Sequence, residues 1–368
     1  MINKNFYLFL IVLFWMARID LAVANPTGGT EASLKPASGI VPIPALYYTP
    51  ETSVAAGGVL IYYFRNDDDL LDAKPSQIKP IVIVTKKKQL ITSLLLSRRW
   101  NQGQDHLSIF SRYRRYPDKI WDIGPLSKSE SEEDYSANIA STEAYWEHAI
   151  GGDFTIGPIA WFYTYQITKH EKNGLIENSQ LVGTGSARTA AIGLRLGLDS
   201  RDNIFSPSRG SLGLLRAVHV EHQEETLKPY KEILADYRYY LTPVPAHTVA
   251  LRLTAQGQEG DVPFRALSSI GGPDNMRGYY EGRFRDKVAI SSEAEYRFPV
   301  WWRFRGAAFA SAGNVGKDID QVVATPVKKS FGGGLRYVVD EKEGIVIRLD
   351  VGRTDESSGL YIQLDEAF

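Results

Sequence analysis

Residues 345–352 read IVIRLDVG, and their alternation decides the fold. Ile345, Ile347, Leu349 and Val351 fall on one face of an extended chain, and Arg348, Asp350 and Gly352 fall on the other. Side chains of a strand point alternately to its two faces, so this stretch has an apolar side and a mostly polar side. Residues 288–298 behave alike. Val288, Ile290, Ala294, Tyr296 and Phe298 share one face, opposite Ser291, Glu293, Glu295 and Arg297. Ile192, Leu194, Leu196 and Leu198 alternate in turn with Gly193, Arg195, Gly197 and Asp199. A period of two recurs nearly to the last residue, broken by turn signals.

A soluble sandwich also alternates, so the placement of charge and aromatics has to decide. A membrane barrel turns its apolar face to lipid and its polar face to the lumen, with aromatic rims. The chain holds 7 Trp, 20 Tyr and 15 Phe, and pairs such as Tyr47-Tyr48, Tyr239-Tyr240 and Trp301-Trp302 bracket candidate strands. Eight strands are expected at 42–49, 54–65, 78–87, 89–100, 105–116, 135–149, 153–168 and 186–200. Eight more are expected at 209–223, 229–242, 246–259, 286–299, 303–313, 329–340, 344–353 and 359–368. Connections near 150–153, 242–246, 299–303 and 340–344 are tight, whereas those near 116–135, 169–185, 260–285 and 314–328 are long and polar. Short periplasmic turns alternating with long external loops are the outer-membrane arrangement. The expectation is an all-β, transmembrane antiparallel β-barrel of about 16 strands over residues 41–368, with both chain ends on the periplasmic side.

The N-terminus agrees with export. Lys4 precedes an apolar run from Phe6 to Ala17, and Ala22-Val23-Ala24 offers a small-x-small cleavage site. This is the layout of a secretory signal peptide over 1–24, too short for a spanning helix. Residues 25–40 read as a short periplasmic tether. No run of 18 apolar residues follows; the best candidate, 81–96, is broken by Lys86, Lys87 and Lys88. The absence of cysteine removes disulfides and thiol chemistry. A net charge of −1 argues against a nucleic-acid partner. Outer-membrane lipids and lipopolysaccharide are the expected surroundings, and a homodimer through the barrel edge stays open.

The last ten residues, GLYIQLDEAF, alternate and stop on an aromatic. Gly359, Tyr361, Leu364 and Phe368 resemble the terminal signal that outer-membrane barrels present to the assembly machinery. Leu360, Ile362, Leu364 and Phe368 are expected on the lipid face. Three further stretches resemble the superfamily of BamA, TamA and FhaC. LGLDSRDNIFSPSRG (196–210) is similar to its strand–turn motif, carried here by Asp199, Arg201, Asp202, Pro207 and Gly210. GGPDNMRGYYEGRFRD (271–286) resembles its long loop, whose Arg-Gly-aromatic tip folds back into the lumen. EAEYRFPV (293–300) and AAFASAGNVG (307–316) resemble the two strands on which that tip rests. The order of these elements holds across roughly the last 180 residues. The resemblance implies protein or lipid insertion or translocation at the outer membrane. It is to the barrel-only form, because periplasmic docking (POTRA) domains are not seen before the first strand.

Gly271 and Gly272 allow a sharp turn, and Gly278 allows the tip to approach the wall. Arg277, Gly278 and Tyr279 form that tip. A guanidinium inside a lumen needs a carboxylate. The resemblance implies two acidic wall positions, one at Glu295 and one at an aspartate whose place Ser311 takes here. Loop anchoring is therefore expected to weaken or to pass through Glu293.

Asp67-Asp68-Asp69 and residues 130–134 read as solvated acidic loops. Arg112, Arg114 and Arg115, with Tyr113 and Tyr116, fit either a rim anchor for lipid phosphates or half of a basic lumen stripe. The six histidines lack metal-ligand spacing, so no metal or cofactor is expected. His219 has no identifiable nucleophile beside it, and no catalytic residue is assigned. Two functional classes remain: an assembly or translocation barrel, and a structural or pore-forming one.

Overall fold

The computed structural model describes residues 38–64, 75–178, 181–341 and 344–368. Residues 1–24, with Ala22 and Ala24, nearly all of the 25–40 tether, and Asp67-Asp68-Asp69 lie outside the described residues. The chain runs through β1 (Gly39–Thr49), β2 (Ser53–Phe64), β3 (Ser76–Thr85), β4 (Leu90–Trp100), β5 (Asp105–Ile120) and β6 (Glu133–Gly151). Next come β7 (Phe154–Lys169), a helical turn α1 (Leu175–Asn178), β8 (Ser186–Asp199), β9 (Gly210–His222), β10 (Tyr230–Val244) and β11 (His247–Glu259). A short ribbon, β12 (Ser268–Ile270) with β13 (Phe284–Asp286), precedes β14 (Val288–Trp301) and β15 (Phe304–Gly316). Helix α2 (Ile319–Ala324) then leads to β16 (Lys328–Asp340), β17 (Ile345–Arg353) and β18 (Ser358–Leu364).

All strands except β12 and β13 form one closed antiparallel barrel, with β1 meeting β18. The barrel therefore has sixteen strands, as the alternation predicts. Closure confines the incompletely paired edges to one place, the β1–β18 seam, in a sheet whose other neighbours are laddered, and a spanning sheet needs such pairing because lipid satisfies no backbone group. The alternation becomes a real division of faces. Ile192, Leu194, Leu196, Leu251, Leu253 and Val351 stand exposed on the outside. Glu293, Glu295, Arg297, Arg348 and Asp350, of opposite parity, are buried inside. An exposed apolar belt of this extent suits hydrocarbon better than water. Trp301 and Trp302, both more than two-thirds exposed, sit at the tight β14–β15 turn, where an aromatic girdle is expected.

The seam is unlike the other ladders. β1 pairs with β2 at every residue from Gly39 to Thr49, yet it meets β18 in register only at Tyr48 and Ile362. Pro42 and Pro44 lie inside β1, and each removes a ladder donor.

One expectation is corrected at the other side of the seam. The last strand was expected over 359–368 with Phe368 on the lipid face. It ends at Leu364, Asp365 takes a left-handed conformation (φ 66°), and the chain turns inward. Leu360 and Leu364 stay outside, while Ala367 and Phe368 are buried against Tyr240 and Ala250 of the far wall. The physical cause is ionic: Glu366 and the Phe368 carbonyl are held by arginines of the interior, described next.

Candidate functional site

The loop between β11 and β14 carries the ribbon and, at its tip, Arg277, Gly278 and Tyr279. Gly278 has φ 116°, and a Cβ there would lie 3.0 Å from the Arg353 amide nitrogen. A Cβ on Gly352 of β17 would lie 2.5 Å from the Arg277 carbonyl. Two glycines thus let the tip backbone rest directly on the β17 backbone. Tyr279 is buried with Ile270, Met276, Phe284, Ala289 and Val315, an apolar cluster that seats the ribbon on β14 and β15.

The Arg277 side chain is fully buried. Its two terminal nitrogens donate to Asp350 Oδ2 at 2.5 Å and Glu295 Oε2 at 2.6 Å. Its guanidinium carbon lies 3.6 Å from the centroid of the Phe309 ring, a stacked cation–π contact. Arg336 of β16 bonds the same two carboxylates and also Glu366, whose Oε2 is 3.0 Å from its Nε. Arg348 of β17 bonds Asp350 at 3.1 Å and Asp274 of the loop at 2.8 Å. Arg297 of β14 bonds Glu295 at 2.8 Å and donates to the Phe368 carbonyl at 2.8 Å. Desolvated charges persist only when paired and hydrogen-bonded, and here loop, wall and tail share one such network.

Asp350 supplies the second carboxylate of the clamp, and Ser311 does not take part in it. Ser311 donates instead to Glu293 at 3.1 Å, and neither side chain bonds Arg277. The expected rerouting through Glu293 is therefore corrected to β17. The carboxylate comes from a strand two places along the wall from β15, where sequence neighbours of Ser311 give no hint of it. Arg336 and Arg348 also escape a motif search, while Arg297 and Glu366 lie within the quoted stretches EAEYRFPV and GLYIQLDEAF without being singled out there. Parity could have found Arg348 and Asp350, both on the inward face of IVIRLDVG.

The loop also holds both sides of the seam. The Gly278 amide donates to the Tyr361 hydroxyl of β18 at 2.9 Å. The Glu281 amide donates to Glu51 Oε1, in the β1–β2 turn, at 2.9 Å. Tyr361, named above within the terminal signal, thus points inward onto the tip, whereas Leu364 stands exposed on the outside. Burial pushes the Glu51 carboxyl up to about 6; a Thr49 hydrogen bond offsets part of this and the nearby Glu281 charge adds to it.

The strand–turn motif lies beneath the network. Asp199 takes Arg201 in a two-pronged bond at 2.8 and 3.1 Å. Asp202 accepts the Ser208 and Arg209 amides at 2.9 and 3.1 Å, closing the turn. Burial raises the Asp202 pKa, but these hydrogen bonds outweigh it and hold the group below its usual range. Gly210 adopts φ 94°, where a Cβ would collide with the Ser200 carbonyl. The Pro207 carbonyl accepts from Arg297 at 3.3 Å, so the two motifs, separate in sequence, meet at one arginine.

Residues 96–339 match the Omp85 superfamily domain. The chain belongs to the Omp85 superfamily. No curated protein sequence matches it. Solved structures do: BamA from Haemophilus ducreyi lacking POTRA domains 1-3, with TM-score 0.62 and 11% identity, covers 90% of this chain and 70% of its own. CdiB from Acinetobacter baumannii gives TM-score 0.53 at 12% identity, with 90% and 66% covered. CdiB from Escherichia coli gives 0.57 at 11%, with 89% and 62% covered. The chain thus spans about two thirds of the length of these structures, and at such identity they share its fold.

Proposed function

We propose that this Omp85-superfamily barrel resides in an outer membrane and assists insertion or translocation of protein or lipid there, without enzymatic chemistry. The carrying observation is the seam: one register pair, Tyr48 with Ile362, closes a barrel whose other ladders run the length of their strands. A short ladder parts at lower cost than a long one, because fewer backbone groups lose partners. In this reading the loop governs that parting, since its Gly278 amide bonds Tyr361 of β18 and its Glu281 amide bonds Glu51 of the β1–β2 turn. Membrane lipids and lipopolysaccharide would be its surroundings, the outer-membrane assembly machinery would insert it, and a second copy could pair at the seam.

The alternative is a structural or pore-forming barrel, and the density of buried ion pairs around Arg277 favours it. A seam lock separates the two. The chain has no cysteine, so Tyr48→Cys with Ile362→Cys introduces a single possible disulfide. Directly opposed antiparallel residues are spaced within disulfide reach. The oxidised protein should fail to restore outer-membrane protein levels in a deletion strain, and the reduced protein should succeed. Full restoration by the oxidised protein would leave the structural reading standing.

A further inference from the structure

Arg112 and Arg114 resolve one ambiguity of the sequence: both face the interior from β5, whereas Tyr113 and Arg115 stand outside. They line a cavity of about 410 Å³ together with Arg285 of the folded loop. A second interior space of about 350 Å³ is also lined by Arg112 and Arg114. Arg216 and Arg265 reach the first cavity too, but they are neutralised, by Glu232 and Glu143 and by Asp118 respectively. Arg112, Arg114 and Arg285 are not. Among the described residues, none of the three has a carboxylate oxygen within 4.0 Å. Arg112 stacks on Phe110 at 4.7 Å and Arg114 on Tyr116 at 5.5 Å, while Arg285 spends its Nε on the Gly282 carbonyl. The ring contacts hold Arg112 and Arg114 by a face and leave their N–H edges for a ligand, and Arg285 keeps its two terminal nitrogens for the same purpose. The one lining carboxylate outside these pairs is Glu281, set beside Glu51.

We propose that this cavity binds a phosphate-type oxyanion, with Arg112, Arg114 and Arg285 as its ligands. The lining holds five guanidiniums and four carboxylates, a net charge of +1 that favours an anion, and the open N–H edges are those of Arg112, Arg114 and Arg285. The forked donors suit tetrahedral oxygens, and the volume falls within the range of small-ligand sites. The same chemistry is carried by a soluble phosphate ester and by a phosphorylated lipid headgroup.

The probe is inorganic phosphate, titrated into the full chain in phosphatidylcholine nanodiscs at constant ionic strength. Saturable binding, absent with chloride, is expected. Arg112→Gln with Arg114→Gln should weaken it more than tenfold, and so should Arg285→Gln, whose site lies on the loop rather than in the wall. Arg115→Gln, on the outer face, should bind as wild type does. Heat-modifiability on gels checks that each variant is folded. Lipid A added to the discs distinguishes the sources: weakened phosphate affinity assigns the site to a headgroup, and unchanged affinity with displacement by glycerol 1-phosphate assigns it to a soluble ester. No saturable binding by wild type, or undiminished binding by folded arginine variants, overturns the proposal.

Discussion

Arg277 on the folded loop and Asp350 on β17 lie 2.5 Å apart in the interior, and Arg336 holds the other oxygen of the same carboxylate. Asp350 is thus the point at which loop and wall are joined. Four arginines, Arg277, Arg297, Arg336 and Arg348, share the buried carboxylates Glu295, Asp350 and Glu366, with Asp274 more exposed at the loop.

Asp350→Asn leaves four arginines on two buried carboxylates, and breaking a buried pair typically costs about 3–5 kcal/mol. Ser311→Ala removes one hydroxyl from Glu293, at a cost of about 1–2 kcal/mol. The temperature at which the folded band is lost on gels should fall clearly for the first and slightly for the second. Equal losses would return Ser311 to the clamp.

Arg277→Ala takes away one positive charge and leaves Arg297, Arg336 and Arg348 facing Glu295, Asp350 and Glu366. Charge stays balanced in the wall, so the barrel should still fold. The loop loses its anchor. In planar bilayers this variant should flicker between conductance levels where the wild type is quiet. A trace indistinguishable from wild type would show that the tip is held by the Tyr279 cluster alone.

Glu51 gives the loop a pH dependence of definite sign. Its ordinary value is 4.5 and its value in the fold is about 6, so the folded state prefers the protonated carboxyl. Its contribution to holding the loop is complete below 4.5 and is lost as pH rises through about 6. Bilayer gating should therefore increase across that window, and Glu51→Gln, which cannot ionise, should flatten the response. A response that persists in Glu51→Gln belongs to another group.

The barrel was legible because period-two alternation is a local property and each strand declares its own faces. The loop tip was legible because its glycines and arginine are contiguous. The clamp was half legible: Glu295 has its arginine 18 residues away, but Asp350 is 73 residues away and reaches it only through closure of the sheet. The inward turn at Asp365 was hidden for another reason. Residues 359–364 alternate correctly, and continuing that parity puts Phe368 outside; the fold departs from parity because buried arginines outbid the strand for Glu366 and the Phe368 carbonyl.

That departure makes a separate prediction. A terminal aromatic that served only during assembly would matter little once the barrel is complete. Here Phe368 is buried against Tyr240 and Ala250, and Arg297 lies over it with 6.0 Å from guanidinium carbon to ring centroid. Phe368→Ala should cost the finished barrel about 3–5 kcal/mol, the usual range for emptying a buried aromatic site. Glu366→Gln should cost less than Asp350→Asn, because it frees only Arg336 Nε and a longer contact of 3.5 Å to Arg297. Both variants should be purified after refolding in detergent, which bypasses the assembly machinery, and then unfolded by heat. A refolded Phe368→Ala barrel as heat-stable as wild type would mean that the tail contributes nothing to the finished interior and acts only before the barrel closes.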